Sequence, residues 1–188
     1  MKNLRLAALI AVAGTLAPFP GKALDLTPAQ TFRDLEGVKI PIVLFTDEGK
    51  KIAFQPPLKW TVSGGGNSVS FYPAELPAAV MQLRVRTRKP PAAGETEDLE
   101  KWCRSQLPPD AAEPALEGEV ANVFTLGTLP SHEFTFTYAA QGRRFTTSVA
   151  IVDWNERERF AVVVTAPTPD FAATHGTAMR SMFSWNPQ

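Results

Sequence analysis

The sequence predicts an α+β fold: an antiparallel sheet of about six or more strands with helices packed on it. Three observations predict it. Segments of alternating apolar and polar residues recur along the chain, short turn sequences separate them, and only a few segments have helical spacing. The chain has one cysteine, so it forms no internal disulfide and depends on packing for its stability.

The first 23 residues have the three-part pattern of a secretory signal peptide, with Lys2 and Arg5, then an apolar run, then small residues. We expect cleavage after Ala23, which makes 24–188 a single exported domain, periplasmic or secreted. Gly14 and Pro18 interrupt the apolar run, so we expect no membrane span after cleavage; an uncleaved anchor is the alternative.

Charge composition bears on the class of partner. The whole chain has 19 basic and 19 acidic residues, and the predicted signal peptide removes three basic ones, Lys2, Arg5 and Lys22. The mature chain is therefore slightly acidic. Nucleic-acid-binding domains are usually strongly basic, so nucleic acid is not the expected partner.

In the N-terminal half, residues 26–37 predict a short helix, with Thr27 as its cap and Gly37 at its end. A hairpin follows around the turn 47–50, and Pro41 in its first strand indicates a sheet edge. The glycines of 64–66 stand between two alternating segments and predict a hairpin turn. A phosphate-binding loop or a nucleophile elbow would need a helix there, although an anion nest of backbone N–H groups is an alternative.

In the rest of the chain, residues 78–89 predict the clearest strand, with Met81, Leu83 and Val85 facing the core. A helix is predicted over 96–109, capped by Thr96, and 108–118 is expected to be a loop. The remaining predicted elements are a strand at 118–126, two strands around the turn 140–143, a doubly covered central strand at 159–167 and a closing helix at 168–185.

Two stretches carry a resemblance to a known fold family. PPLKWTVSGGGNSVSFYP (56–73) and the C-terminal block from HEFTFTY to the final MFSW (132–185), with a strand ending in TAP, resemble the PsbP/Mog1-like proteins over residues 40–186. The resemblance implies a central sheet between helices, an α/β/α sandwich. It also implies a binding or assembly role without catalytic residues. Residues 24–38 have no match in that family.

The polar residues give no convergent catalytic set. His132 and Glu133 are neighbours in a strand and must point to opposite faces, so His132 is expected to pack at the strand end. His175 is expected to be a partly buried helix residue and Cys103 a buried, inert thiol. A carboxylate pair of Asp153 and Glu133 stays open, and no metal or cofactor pattern is present.

Two basic clusters are the most site-like surfaces. One is the outward ridge of Arg84, Arg86 and Arg88 with Lys89; the other is an expected hairpin tip with Trp154, Arg157 and Arg159. On an edge strand the ridge would also resist aggregation.

The leading hypothesis is a non-enzymatic binding or assembly-factor domain that acts on another envelope protein. The alternative is a small-ligand or lipid binder with a pocket between sheet and helices, behind Phe134 and Phe136. A hydrolase that uses Ser68 or Glu133 is the least favoured class.

Overall fold

The structure is a computed structural model that describes residues 24–88, 91 and 97–187. The predicted signal peptide, Lys89 and the predicted cap Thr96 lie outside these ranges. The elements are β1 (Asp25–Leu35), β2 (Val38–Asp47), β3 (Lys50–Phe54), β4 (Trp60–Gly65), β5 (Ser68–Pro73), β6 (Val80–Thr87), α1 (Leu99–Arg104), β7 (Ala112–Leu126), β8 (Leu129–Ala140), β9 (Arg143–Asp153), β10 (Glu158–Pro167), α2 (Thr168–Met182) and β11 (Asn186–Pro187).

The central layer is a seven-stranded antiparallel sheet in the order β4-β5-β6-β10-β9-β8-β7. One face packs against α2 and against a smaller sheet in the order β1-β2-β3-β11, and α1 packs on the other face. The α+β prediction is confirmed. The predicted central position of β10 is also confirmed, since its residues 160–164 are buried on both faces.

The strand alternation sorts the buried side chains into two clusters. On the α2 face, Phe160 and Val162 of β10 pack with Met81 and Leu83 of β6 and with Met182 of α2. On the α1 face the buried residues are Cys103, Phe134, Phe136, Val149, Ile151, Ala161 and Val163. Successive strand residues point to opposite faces, so parity along each strand decides which cluster a residue joins.

The three consecutive glycines lie at the β4–β5 hairpin, as predicted: Gly64 and Gly65 end β4, and Gly66 forms the turn with Asn67. Gly64 has φ of +101°, and a Cβ there would lie 2.8 Å from the Ser68 carbonyl oxygen. The turn is also where β1 meets the large sheet, because Gly66 accepts from Leu26 N–H and donates to the Thr27 hydroxyl. The glycines therefore serve a tight turn and a close approach of two chain segments.

The predicted helix over 26–37 is wrong, because residues 25–35 form strand β1 of a hairpin with β2. Glu36 and Gly37 both have positive φ and make a two-residue turn, and Asp34 accepts a hydrogen bond from Gly37 N–H. The glycine that suggested a helix end thus belongs to a hairpin. Pro41 lies on β2 opposite β1 and beyond the 43–47 segment that pairs with β3, so its other side has no strand neighbour.

Two further boundaries differ from the sequence prediction. The helix predicted over 96–109 is limited to Leu99–Arg104, with the Asp98 carboxylate accepting from Lys101 N–H as its cap. The expected loop at 108–118 is in part strand, because β7 begins at Ala112 and pairs with β8 through three register shifts. Bulges let a long edge strand bend while it stays paired, which alternation alone does not reveal.

Candidate functional site

The basic ridge predicted on β6 lies on the α1 face of an internal strand. β6 pairs with both β5 and β10, so an edge-strand role for the ridge is excluded. Parity puts Arg84, Arg86 and Arg88 on one face, and Arg86 lies opposite Arg159 in the β6–β10 register. We call these four residues the arginine face. The ridge and one member of the second predicted cluster therefore meet in the tertiary structure.

Arg159 is the anchor of this face. Its side chain is 1% exposed, although the sequence placed it at an exposed hairpin tip, and that expectation is wrong. Its Nη1 and Nη2 donate to the two Glu97 oxygens at 2.6 and 2.9 Å, and its Nε donates to Asp153 Oδ1 at 2.8 Å. The guanidinium also lies 5.0 Å from the ring centroid of Trp102 in α1.

These contacts set the charge states of the cluster. Burial alone would lower the Arg159 pKa, but the hydrogen bonds that Arg159 donates to Glu97 and Asp153 outweigh it and raise that pKa. The hydrogen bond from Arg159 lowers the pKa of Glu97. Arg88 shares the same two acids, with its Nε 3.6 Å from Glu97 and its Nη1 3.3 Å from Asp153. Two arginines and two carboxylates therefore neutralise each other.

Arg84 is a half-buried arginine held by neutral groups. Its guanidinium donates to the Gln106 backbone carbonyl at 3.1 Å and to the Gln82 side-chain oxygen. The Gln82 amide in turn donates to the Ser70 hydroxyl at 3.1 Å. Burial and the neighbouring charge of Arg86 lower the Arg84 pKa. Within the described part of the chain, no carboxylate forms an ion pair with it.

Arg86 is exposed and has no ion-pair partner among the described residues. It stands between the oriented Arg84 and the neutralised pair of Arg88 and Arg159 on the same face. The arginine face thus has two cations without an ion-pair partner among the described residues. Sequence reasoning missed Gln82 and Gln106 as groups that orient Arg84. Gln82 lies on the same face of β6 as the arginines, so the alternation of the strand could have indicated it. Gln106 follows α1 in the chain, so no local pattern places it beside Arg84.

Trp154 and Arg157, the other two residues of the second predicted cluster, do not join the arginine face. Trp154 is half-buried and packs on the α2 side, with its ring centroid 6.3 Å from that of Phe160 and 6.3 Å from that of Trp185. Arg157 is exposed in the β9–β10 turn, where Asn155 accepts from its backbone N–H at 2.8 Å. The predicted cluster is therefore divided between the two faces of the sheet.

Glu133 and Asp153 lie on opposite faces of the large sheet. Glu133 is opposite Ala150 on the α2 side, whereas Asp153 shares the face of Ile151. A paired-carboxylate mechanism with these two residues is therefore excluded. Buried Glu133 instead contacts His175 of α2, with Oε1 2.6 Å from Nε2.

The contacts of His132 and Cys103 indicate structural roles for both residues. The His132 ring stacks on Phe134 at 5.0 Å, as its predicted strand-end packing requires, and its Nε2 lies 2.6 Å from Glu119 Oε1. Cys103 is fully buried, and burial raises its pKa to about 12. A thiol with such a pKa is not a nucleophile at neutral pH.

In the described ranges, no group of three or more His, Cys, Asp or Glu side chains could hold a metal ion.

The space behind Phe134 and Phe136 is filled by side chains. Cys103, Leu99, Trp102 and Leu107 cover these two rings, and the Arg104 guanidinium lies 5.1 Å from the Phe136 centroid. Side chains therefore occupy the position directly behind these two rings, and a groove of about 320 Å³ lies beside it on the same face, between Leu99 of α1 and Ile151 and Arg159 of the sheet. None of the helices in 24–88 and 97–187 has the length and apolar character to cross a membrane.

No protein-family model and no curated protein matches the chain. Among solved structures it is similar to the solution structure of PsbP (CyanoP) from Synechocystis sp. PCC 6803, with 11% identity and a TM-score of 0.46, covering 73% of this chain and 86% of that one. It is also similar to PA94, a Pseudomonas aeruginosa protein of unknown function, with 12% identity and a TM-score of 0.41, covering 82% of this chain and 94% of that one. The first is a PsbP protein, the kind that the sequence resembles. Nothing about what this chain binds follows from either.

Proposed function

We propose that the protein is an exported, non-catalytic binding domain whose arginine face recognises a carboxylate-rich segment of another envelope protein. The observation that carries the proposal is the pair Arg84 and Arg86. Arg88 and Arg159 are neutralised by Glu97 and Asp153, but Arg84 and Arg86 have no acidic partner in the described part of the chain. Arginine forks bind carboxylates with two parallel hydrogen bonds, so an acidic partner is the chemistry that fits.

Preorganisation of Arg84 supports this proposal. Gln82 and Gln106 hold its guanidinium through neutral acceptors, which orient the group without cancelling its charge. An arginine that is already oriented loses less side-chain entropy on binding than a free one. Arg86 beside it is exposed and adds long-range attraction, which raises the association rate at low salt.

The candidate catalytic groups support a non-catalytic role by their positions. Cys103 is buried, and Glu133 and Asp153 lie on opposite faces of the sheet. Ser68, the remaining candidate nucleophile, lies on β5 opposite Arg84, whereas the two described histidines contact Glu133 and Glu119.

The test is affinity capture from the envelope fraction of the native host, with the mature chain 24–188 as bait. Arg86→Glu reverses the charge of the exposed member, and Arg143→Glu, at the exposed β8–β9 turn, is the matched control. We expect one or a few proteins to be retained by the wild type and by the Arg143→Glu control and lost with Arg86→Glu. Retention should also fall as salt is raised through about 0.15 M, where the screening length is about 8 Å.

Two results would contradict the proposal. One is capture of the same proteins, in the same amounts, by Arg86→Glu and by the wild type. The other is retention that does not change with salt. Mass spectrometry of the bait purified from the host tests the export separately, because a mature chain should begin at Leu24.

A further inference from the structure

Three hairpin turns meet at one end of the molecule around a groove of about 300 Å³. The β2–β3 turn contributes Asp47 and Glu48, the β7–β8 turn contributes Gly127, and the β9–β10 turn contributes Trp154 and Asn155. Turns held by a rigid sheet are a common position for binding sites. This groove is separate from the arginine face, because Trp154 packs on the α2 side of the sheet.

Aromatic surface forms the apolar part of the groove. The rings of Trp154 and Trp185 meet at 82° with centroids 6.3 Å apart, so together they make a corner. Trp185 is held in place by Phe45, Phe54 and Phe160, with centroids 4.9 to 6.0 Å from its own. Trp154 is only half-buried and presents indole surface to the groove. Indole faces attract organic cations through the ring quadrupole.

The charges around the groove are mostly negative. Asp47 is half-buried and lines the groove together with Trp154, and the interaction with the Trp154 side chain by itself lowers the Asp47 pKa. Burial is the main cause that raises the pKa of Asp47, and the charges of Glu48 and Glu158 raise it further. The charge of Lys50 lowers this pKa. A cation that enters the groove would relieve this repulsion.

A buried donor in the groove wall also lacks an acceptor. The side chain of Trp185 is 7% exposed, and its indole N–H has no hydrogen-bond partner among the described residues. Most buried side-chain donors are hydrogen-bonded, so this indole N–H is an exception in the wall of the groove. A ligand with a positive charge matches the acidic and aromatic lining of the groove.

We propose that this groove, which we call the tryptophan groove, binds a small organic ammonium ion, with its charge near Asp47 and Glu48 and its alkyl groups against Trp154. Choline is the probe that fits this chemistry, since it combines a trimethylammonium group with a hydroxyl oxygen. Its neutral isostere, 3,3-dimethyl-1-butanol, has nearly the same shape without the charge. Comparing the two separates charge recognition from simple burial of apolar surface.

The experiment follows the four tryptophan indole N–H signals in ¹H–¹⁵N NMR spectra of the folded chain while choline is added. We expect saturable shifts of two signals, assigned to Trp154 and Trp185 by the variants Trp154→Phe and Trp185→Phe, with a Kd of about 1 mM or tighter. The neutral isostere should bind about tenfold more weakly, since it loses the cation–π contact and the attraction of the carboxylates.

The variant that tests charge recognition is Asp47→Asn, because asparagine keeps the size and shape of the side chain and removes its charge. We expect it to weaken choline binding about tenfold, whereas Asp110→Asn, an exposed control, leaves the affinity unchanged. Phosphatidylcholine vesicles form a second arm. Vesicle binding that Asp47→Asn abolishes assigns the ammonium to a lipid headgroup, and its absence assigns it to the free ion.

Three results would overturn this inference. The first is equal affinity for choline and its neutral isostere. The second is an unchanged choline affinity in Asp47→Asn. The third is the absence of saturable indole shifts at about ten times the expected Kd.

Discussion

Replacing Arg159 by methionine tests whether the ion cluster holds α1 on the sheet. Glu97 immediately precedes the helix cap Asp98, so the bidentate Arg159–Glu97 pair ties the start of α1 to β10. Methionine keeps much of the length and apolar volume of arginine and contacts aromatic rings well, so the packing on Trp102 is largely kept. The variant therefore removes mainly the charge and its hydrogen bonds.

The magnitude follows from the contacts. Arg159 makes three charge-assisted hydrogen bonds, each worth about 1.5–3 kcal/mol where both partners are buried. Its partners are not fully buried: the Glu97 side chain is 22% exposed and that of Asp153 is 44% exposed. Arg88 also remains beside both acids after the substitution. We therefore expect a loss of about 3 kcal/mol, at the lower end for a broken buried pair.

Two assays measure the effect. Thermal unfolding followed by circular dichroism should show Tm lowered by about 6–12 °C, at 2–4 °C per kcal/mol for a domain of this size. The reaction of Cys103 with Ellman's reagent under native conditions reports opening of α1, because that thiol is fully buried beneath the helix. An opening made easier by about 3 kcal/mol speeds the reaction by about a hundredfold.

The control is Arg143→Met at an exposed turn position, where we expect a change within about 0.5 kcal/mol. A loss below about 1 kcal/mol in Arg159→Met, together with an unchanged Cys103 reaction rate, would refute the idea that this cluster fixes α1. In that case the apolar contacts of Trp102 and Leu99 alone would be sufficient.

Three further predictions concern other positions. In the wild type at pH 8, Cys103 should not react with Ellman's reagent within minutes unless denaturant is added, because its folded pKa is about 12; rapid native labelling would contradict this. Asp47→Asn should raise Tm at neutral pH, since a folded pKa above the unfolded value of 3.8 means that ionised Asp47 costs stability; the gain should vanish as the pH falls below 3.8, and a Tm lowered at pH 7 would count against it. Gly64→Ala should cost about 1–3 kcal/mol in urea unfolding because of its positive φ and the Ser68 carbonyl, whereas Gly118→Ala, which has open space, should be nearly neutral; equal effects would contradict the reasoning.

The sequence alone determined the elements whose signals are local. Alternation over 80–87 placed Met81, Leu83 and Val85 in the core and the arginines on the other face, as the structure has them. The apolar run at 160–164 predicted a central strand, and helical spacing from Phe171 to Met182 predicted α2. Each of these depends on periodicity, which a strand or helix needs whatever lies beside it.

The same local signals failed where the partner decides the conformation. Residues 26–37 carry a Thr-Pro start and a Gly end that suit a helix, yet residues 29–35 pair continuously with β2 as a strand. The long strand β7 likewise pairs with β8 through bulges, which no pattern in its sequence predicted. Backbone hydrogen bonds to the next strand of the hairpin outweighed propensity in both cases.

Only the tertiary structure separated the cationic side chains by role. In the sequence, Arg84, Arg86, Arg88 and Arg159 look alike as exposed bases. The fold brings Glu97, from 62 residues away, onto Arg159 and leaves Arg86 without a described acid partner. It also places Trp154 on the far side, next to Asp47 and Trp185. Sequence patterns determine which face of the sheet a side chain takes. Its burial and its ion-pair partners depend on segments that meet only when the sheets pack, because electrostatic and packing energies depend on distance in space.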